Sequence, residues 1–175
     1  MSQGLQRLWS PWRMAYILGN QEEKRAGGCI FCDKLAEDRD AENYVVWRGT
    51  HCAIVLNLYP YNNGHLMVIP YAHMPSLEDL PAEVQAEMMV TVSKSLRLLR
   101  RTMQPDGFNI GVNIGSAAGA GVESHVHIHV VPRWAGDTNF MLVLAETRVI
   151  PEWLDDTYAN LRVALENLGD GTDEE

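Results

Sequence analysis

Basic side chains are scarce in this chain: 14 lysines and arginines stand against 23 aspartates and glutamates, a formal net charge of −9 over 175 residues. No block rich in Lys and Arg occurs anywhere along it. Phosphate backbones are gripped chiefly by basic surface, which argues against duplex nucleic acid as a partner. A small anionic nucleotide stays open, because it needs only a few donors in a cleft. Long apolar runs are also missing. Nothing approaches the roughly 20 residues that a bilayer-spanning helix requires, so no membrane partner is expected. Residues 5–18 are apolar but interrupted by Arg7, Pro11 and Arg13. A secretory leader has its charges first and an unbroken apolar run after them, so a cytoplasmic location is expected. Cysteine is limited to three residues, two of them in Cys29-Ile30-Phe31-Cys32. In a reducing compartment that spacing points to metal or redox chemistry before a structural disulfide.

What is present has the proportions of one ordinary globular domain, with 46% hydrophobic and 21% charged residues. No internal repeat or linker divides it. An N-terminal arm is expected over 1–27, where Leu8-Trp9-Ser10-Pro11-Trp12-Arg13 sets two tryptophans around a proline. The core is expected over 28–134, an extension over 135–168, and a solvated acidic tail over 169–175. An acidic, helical-looking stretch covers 33–42. Strand signals rich in β-branched and aromatic residues follow at 44–47, 52–56 and 65–70. Between the last two, residues 57–64 are turn chemistry ending in Asn63-Gly64.

A helix is predicted over 81–103, with Pro81 suited to its first turn. Val84, Met88, Met89, Val92, Leu96 and Leu99 recur there at helical spacing. Two more strands are predicted at 108–114 and 125–131, joined by a loop of small residues, Gly115-Ser116-Ala117-Ala118-Gly119-Ala120-Gly121. A last helix is predicted over 152–168. Runs of strands with helices set between them give an α+β domain. Cys52, among apolar strand residues, reads as an ordinary buried cysteine.

The chemistry concentrates in His125-Val126-His127-Ile128-His129. Side chains alternate faces along an extended strand, so the three histidines share one face and Val126, Ile128 and Val130 share the other. The apolar face docks on helices; the histidine face must meet a cleft, a metal or solvent. Three imidazoles on an otherwise apolar strand cost too much desolvation to be filler. Two chemistries want such a row. One is metal ligation. The other is nucleophilic attack at phosphorus, with neighbouring donors holding the phosphate charge. The loop upstream favours phosphorus, because Gly119, Gly121 and their small neighbours let backbone N–H groups approach a phosphate.

These residues resemble the histidine-triad (HIT) superfamily, whose pattern is His-x-His-x-His followed by two apolar residues, here Val130 and Val131. The block 52–70, with Asn57 eight residues ahead of His65, is similar as well. The continuation from Pro132 through Trp134 to Asp137 looks like the branch that cleaves dinucleoside polyphosphates. Leu8-Trp9-Ser10-Pro11-Trp12-Arg13-Met14 is similar to the phosphorylase group of that branch. The resemblance implies a half-barrel antiparallel sheet of about five strands, with the long helix across it and a C-terminal helix. It implies a two-fold homodimer. His127 would be the nucleophile that forms a nucleotidyl-imidazole, with His129 and His65 as its catalytic neighbours. Asn57 would bind ribose hydroxyls and Asn113 the phosphates; Gly119, Gly121 and Trp134 complete the expected nucleotide contacts. One departure matters. Where many members carry Gln and then Ser or Thr, this chain has Gly121 and Val122, so whether water or inorganic phosphate resolves the intermediate stays open.

Cys29-x-x-Cys32 is half of a zinc site by spacing, and by itself is ambiguous between metal, redox and coincidence. The resemblance implies its completion by His73 and His125 as a structural zinc centre, with no organic cofactor. Two further functions compete with dinucleotide cleavage: a nucleoside phosphoramidate hydrolase, and a nucleotide-binding regulatory module. A redox protein built on the CxxC is disfavoured, since nothing resembles the thioredoxin context of that motif.

Overall fold

Two five-residue runs of apolar residues, β2 (Cys52–Leu56) and β3 (Leu66–Pro70), pair antiparallel and are buried along their whole length. Burial on both faces means that something covers each side. In the computed structural model, which describes residues 28–138 and 150–168, alternate residues of these strands enter two separate cores. Cys52, Ile54, Leu56, Leu66 and Val68 face the long helix α3 (Ala82–Met103). Ala53, Val55, Met67 and Ile69 face the short helix α1 (Ile30–Ala36) through Phe31 and Leu35. The expected arm 1–27 and tail 169–175 lie outside the described residues.

The sheet has five antiparallel strands, completed by β1 (Val45–Arg48), β4 (Gly107–Val112) and β5 (Ile128–Arg133), in the order β1-β2-β3-β5-β4. With α3 packed across it and the C-terminal helix α4 (Leu154–Glu166) against α3, this is the expected α+β architecture. Helix α4 also closes the β1 edge. Tyr158 donates its hydroxyl to the Val45 carbonyl at 3.2 Å, and Arg162 donates Nη1 to the Val46 carbonyl at 2.9 Å. Cys52 is buried as expected, 3.3 Å from Thr91 Oγ1. No helix among the described residues is long and apolar enough to cross a membrane.

Several boundaries differ from expectation, each for a local reason. The acidic stretch forms two helices, α1 and α2 (Asp40–Asn43), rather than one. Arg48 separates them by donating Nη1 to the Leu35 carbonyl at 2.7 Å and Nη2 to the Glu37 carbonyl at 2.9 Å. The strand predicted over 125–131 starts its ladder only at Ile128. Ahead of it, Val126 donates its N–H to the Met74 carbonyl at 2.7 Å, outside the sheet. On α3, Met89 is 58% exposed despite its helical spacing, and Leu98 takes a core place instead.

The Asn63-Gly64 turn is set by backbone conformation. Gly64 has φ +69, a left-handed conformation that favours glycine; a Cβ there would also lie 2.5 Å from Sδ of the flexible Met103 side chain, which would have to shift. Leu161 is fully buried and is the main apolar anchor of α4. Leu161→Ala should therefore destabilise the fold by about 2–5 kcal/mol, read as a lowered urea midpoint; a change well below that range would mean that α4 contributes little to the core.

Candidate active site and metal cluster

The side-chain alternation survives although the ladder starts late. Residue pairing puts His129 opposite Met67, on the α1 face, and Ile128 and Val130 opposite Val68 and Leu66, on the α3 face. Val126, Ile128 and Val130 enter the α3 core. His125, His127 and His129 turn the other way and are 0%, 4% and 8% exposed. Burial of three imidazoles demands partners, and each has them.

His125 is tied at both nitrogens. Its Nε2 lies 2.8 Å from the Pro70 carbonyl, which can only accept, so the proton sits there and Nδ1 carries the lone pair. That Nδ1 is 3.4 Å from Cys29 Sγ and 3.5 Å from Cys32 Sγ, while Cys32 Sγ is 3.3 Å from His73 Nδ1. The four ligand atoms all fall within 4.8 Å of one another. A tetrahedral zinc, with bonds of about 2.0–2.3 Å, holds its ligand atoms roughly 3.3–3.8 Å apart. The donor set and the three separations of 3.4, 3.5 and 3.3 Å therefore fit that ion, and the Pro70 carbonyl is the outer partner that would fix a ligating imidazole. Burial and the neighbouring Cys29 push the Cys32 thiol above its ordinary range, so a cation is what would favour the thiolates.

His127 Nδ1 lies 3.0 Å from the carbonyl of His125. That places the proton on Nδ1 and leaves Nε2 as the nucleophilic nitrogen. Burial lowers the His127 pKa, which keeps the ring neutral and its lone pair available. Phe31, from within the CxxC, packs edge-on against His127 at 4.9 Å and His125 at 5.5 Å.

His65 immediately precedes β3 and is fully buried. Its Nδ1 accepts the Tyr61 backbone N–H at 3.0 Å, with the Asn57 amide nitrogen 3.3 Å away. The His65 proton is therefore on Nε2, 3.0 Å from His129 Nδ1. His129 accepts there, so its own proton is on Nε2; the Asn113 amide nitrogen lies 3.4 Å from that atom, and the Asn113 side chain meets the proton through its oxygen once the amide is turned over. A directed chain of three groups runs from the 57–65 turn to the face where Asn113 stands.

The structure thus brings together His65, His127, His129, Asn57 and Asn113, and gathers Cys29, Cys32, His73 and His125 beside them. Asn113 lies just past β4 rather than in it. The loop with Gly119 and Gly121 connects Asn113 to the triad, with Gly115 and Gly119 at positive φ. Val122 packs toward the Phe31 core, and its side chain offers no hydrogen-bond donor. Trp134 follows β5, and its Nε1 donates to the Met103 carbonyl at 3.4 Å. Sequence reasoning missed Tyr61, Phe31 and the two carbonyls of Pro70 and His125. Only Tyr61 left a signal, as an aromatic in a turn of Pro, Asn and Gly.

A family model described as the HIT domain matches residues 38–136. An AP-4-A phosphorylase of Mycobacterium tuberculosis is 43% identical over 157 residues, covering 87% of this chain and 80% of that one. A crystal structure of a zinc-bound histidine triad family protein from Mycobacterium smegmatis is 32% identical, with a TM-score of 0.66, over 81% of this chain and 95% of that one. A crystal structure of a hypothetical histidine triad nucleotide-binding protein from Sulfolobus tokodaii is 29% identical, with a TM-score of 0.65, over 80% and 93% of the two chains.

Burial, with His129 and His127 nearby, lowers the His65 pKa from 6.5 to about 3. The unfolded chain takes up a proton near 6.5 that native His65 refuses, so the stability present above that pH is lost as pH falls toward 3. The limiting slope is about 1.4 kcal/mol per pH unit. Urea midpoints at about pH 7.5 and about pH 5 should therefore drop further in the wild type than in His65→Asn. Equal drops would show that His65 is not held neutral by the fold.

Proposed function

The chain belongs to the HIT domain family and is a nucleotide-processing enzyme, and from that premise we propose that it cleaves dinucleoside polyphosphates such as diadenosine tetraphosphate through His127. The observation that carries the reading is the hydrogen bond from His127 Nδ1 to the His125 carbonyl, which commits Nε2 to attack. In the proposed first step Nε2 bonds to the α-phosphorus as the bridging P–O bond breaks, and the leaving nucleotide departs with the electron pair. His129 directs its Nε2 proton at the phosphate oxygens, and Asn113 and the N–H groups of the 115–121 loop share that charge. Asn57 stands at the turn side of the site, where a ribose would lie. In the second step an acceptor oxygen bonds to the phosphorus as the P–N bond breaks, and the electron pair of that bond returns to Nε2 of His127, which leaves as the neutral imidazole.

Inorganic phosphate is the acceptor we favour. Support comes from the phosphorylase relative and from the small side chains of the 115–121 loop, which leave room beside backbone donors for a second anion. We further propose that Cys29, Cys32, His73 and His125 hold one zinc ion. With all four positions taken by protein, such an ion braces the fold and performs no Lewis-acid step.

Incubation with diadenosine tetraphosphate should give ADP and ATP only when inorganic phosphate is present. AMP and ATP without phosphate would identify water as the acceptor; no cleavage in either mixture would overturn the dinucleotide reading, with phosphoramidates the next substrates. His127→Ala should lower turnover by about 10⁴-fold or more while nucleotide binding, read by calorimetry, persists. Loss of binding with retained turnover would remove His127 from the chemistry. Metal analysis should find one zinc per chain, lost in Cys32→Ser together with a fall in thermal midpoint. A metal-free wild type of unchanged stability would leave the cluster as plain thiols and imidazoles.

A further inference from the structure

Tyr61 has no part in the nucleotide chemistry above, yet it covers the pair of histidines that directs a proton into the site. We infer that the Tyr61 ring is a positioning element, holding the proton of His129 on Nε2 by shielding the His65–His129 hydrogen bond from water. The inference rests on the proposed roles of His127 and His129.

The ring lies 4.6 Å from His65 at an interplanar angle of 42°, and 5.5 Å from His129 at 34°. Tyr61 is 42% exposed, whereas His65 is 0% and His129 8% exposed. The ring therefore packs, tilted, against both imidazoles while part of the residue stays open to solvent. Its backbone N–H to His65 Nδ1 is available to any residue at this position; the cover is not.

The cover matters because neutral imidazole has two tautomers of similar stability. Water reaching His65 would compete with the Tyr61 N–H and the Asn57 amide, the two donors that hold Nδ1 as an acceptor, and would offer that nitrogen an acceptor in their place. A proton moved to Nδ1 turns Nε2 into an acceptor, and His129 must then donate from its own Nδ1. Its Nε2 is left bare toward the phosphate, where a donor is needed. The groups facing His65 are His129 and His127 from the strand side, the Asn57 amide from the turn, and the Tyr61 phenol above. The pKa of His65, held down chiefly by burial, fits a closed environment. The hydroxyl has no part in this account, so an unsubstituted ring should serve.

The test compares Tyr61→Ala and Tyr61→Phe in the full chain. Tyr61→Ala should lower kcat about tenfold or more with KM moving less than about threefold. Tyr61→Phe should stay close to wild type. Long-range proton–nitrogen NMR should show the Nε2–H form of His129 in wild type and Tyr61→Phe, and a tautomer mixture in Tyr61→Ala. If Tyr61→Ala does not fold, Tyr61→Gln replaces it, keeping bulk while admitting water. An unchanged tautomer and kcat would overturn the inference. So would a rise in KM alone, which assigns the ring to substrate binding, or an equal loss in Tyr61→Phe, which assigns the role to the hydroxyl. If the wild type cleaves no nucleotide, the proposed function fails, and the tautomer spectra alone decide the role of Tyr61.

Discussion

The site depends on the backbone and side chain of one residue doing different things. His125 sends its side chain toward Cys29, Cys32 and His73, and its carbonyl toward His127 Nδ1. The imidazole is fixed at the far side by Pro70. A rotation of this residue that broke the cluster would also swing the carbonyl that sets the His127 tautomer. Phe31 adds a second link, since the same CxxC that offers two sulfurs puts an aromatic edge against His127. Bracing and reactivity are thus built from adjoining atoms.

A second ordering comes from the turn that follows β2. Asn57, Tyr61 and His65 lie within nine positions, and the later half of the turn is pinned to the rest of the fold. Asn62 donates to the Pro132 carbonyl at 3.1 Å and to Asp137 at 2.8 Å, while Gly64 admits Met103. Asp137 is in turn held by Arg133 at 2.6 Å, with only 8% of its side chain exposed. Arg133 keeps the Asp137 carboxyl well below the usual range, so this pin stays charged. The imidazole pair His65–His129 is therefore located by contacts from both strands and from the turn itself.

Much of this was legible in the sequence, for physical reasons. Alternation of polar and apolar residues fixes faces whatever the hydrogen-bond partners are, so the shared face of the triad was readable even though His125 and His127 precede the strand. The β2 and β3 boundaries followed from compact apolar runs between turn residues. Less legible were features that depend on backbone atoms: the carbonyls of Pro70 and His125 have no signature in residue type. Met89 misled because helical period marks a stripe without marking its edges. The division of the acidic stretch hinged on Arg48, a side chain that competes for helix carbonyls from another element. His73 and His125 were placed by resemblance; spacing alone offered only the two cysteines.

The two borders of the sheet are unlike. Tyr158 and Arg162 occupy carbonyls of β1, whereas β4 ends the sheet on the other side, with Ile110 48% exposed. Among the described residues, lateral addition of a strand is therefore a one-sided event. A copy that joined through β4 would consume its own single border in doing so. Growth of that kind terminates after one step, so the fold carries a built-in stop against extended polymerisation.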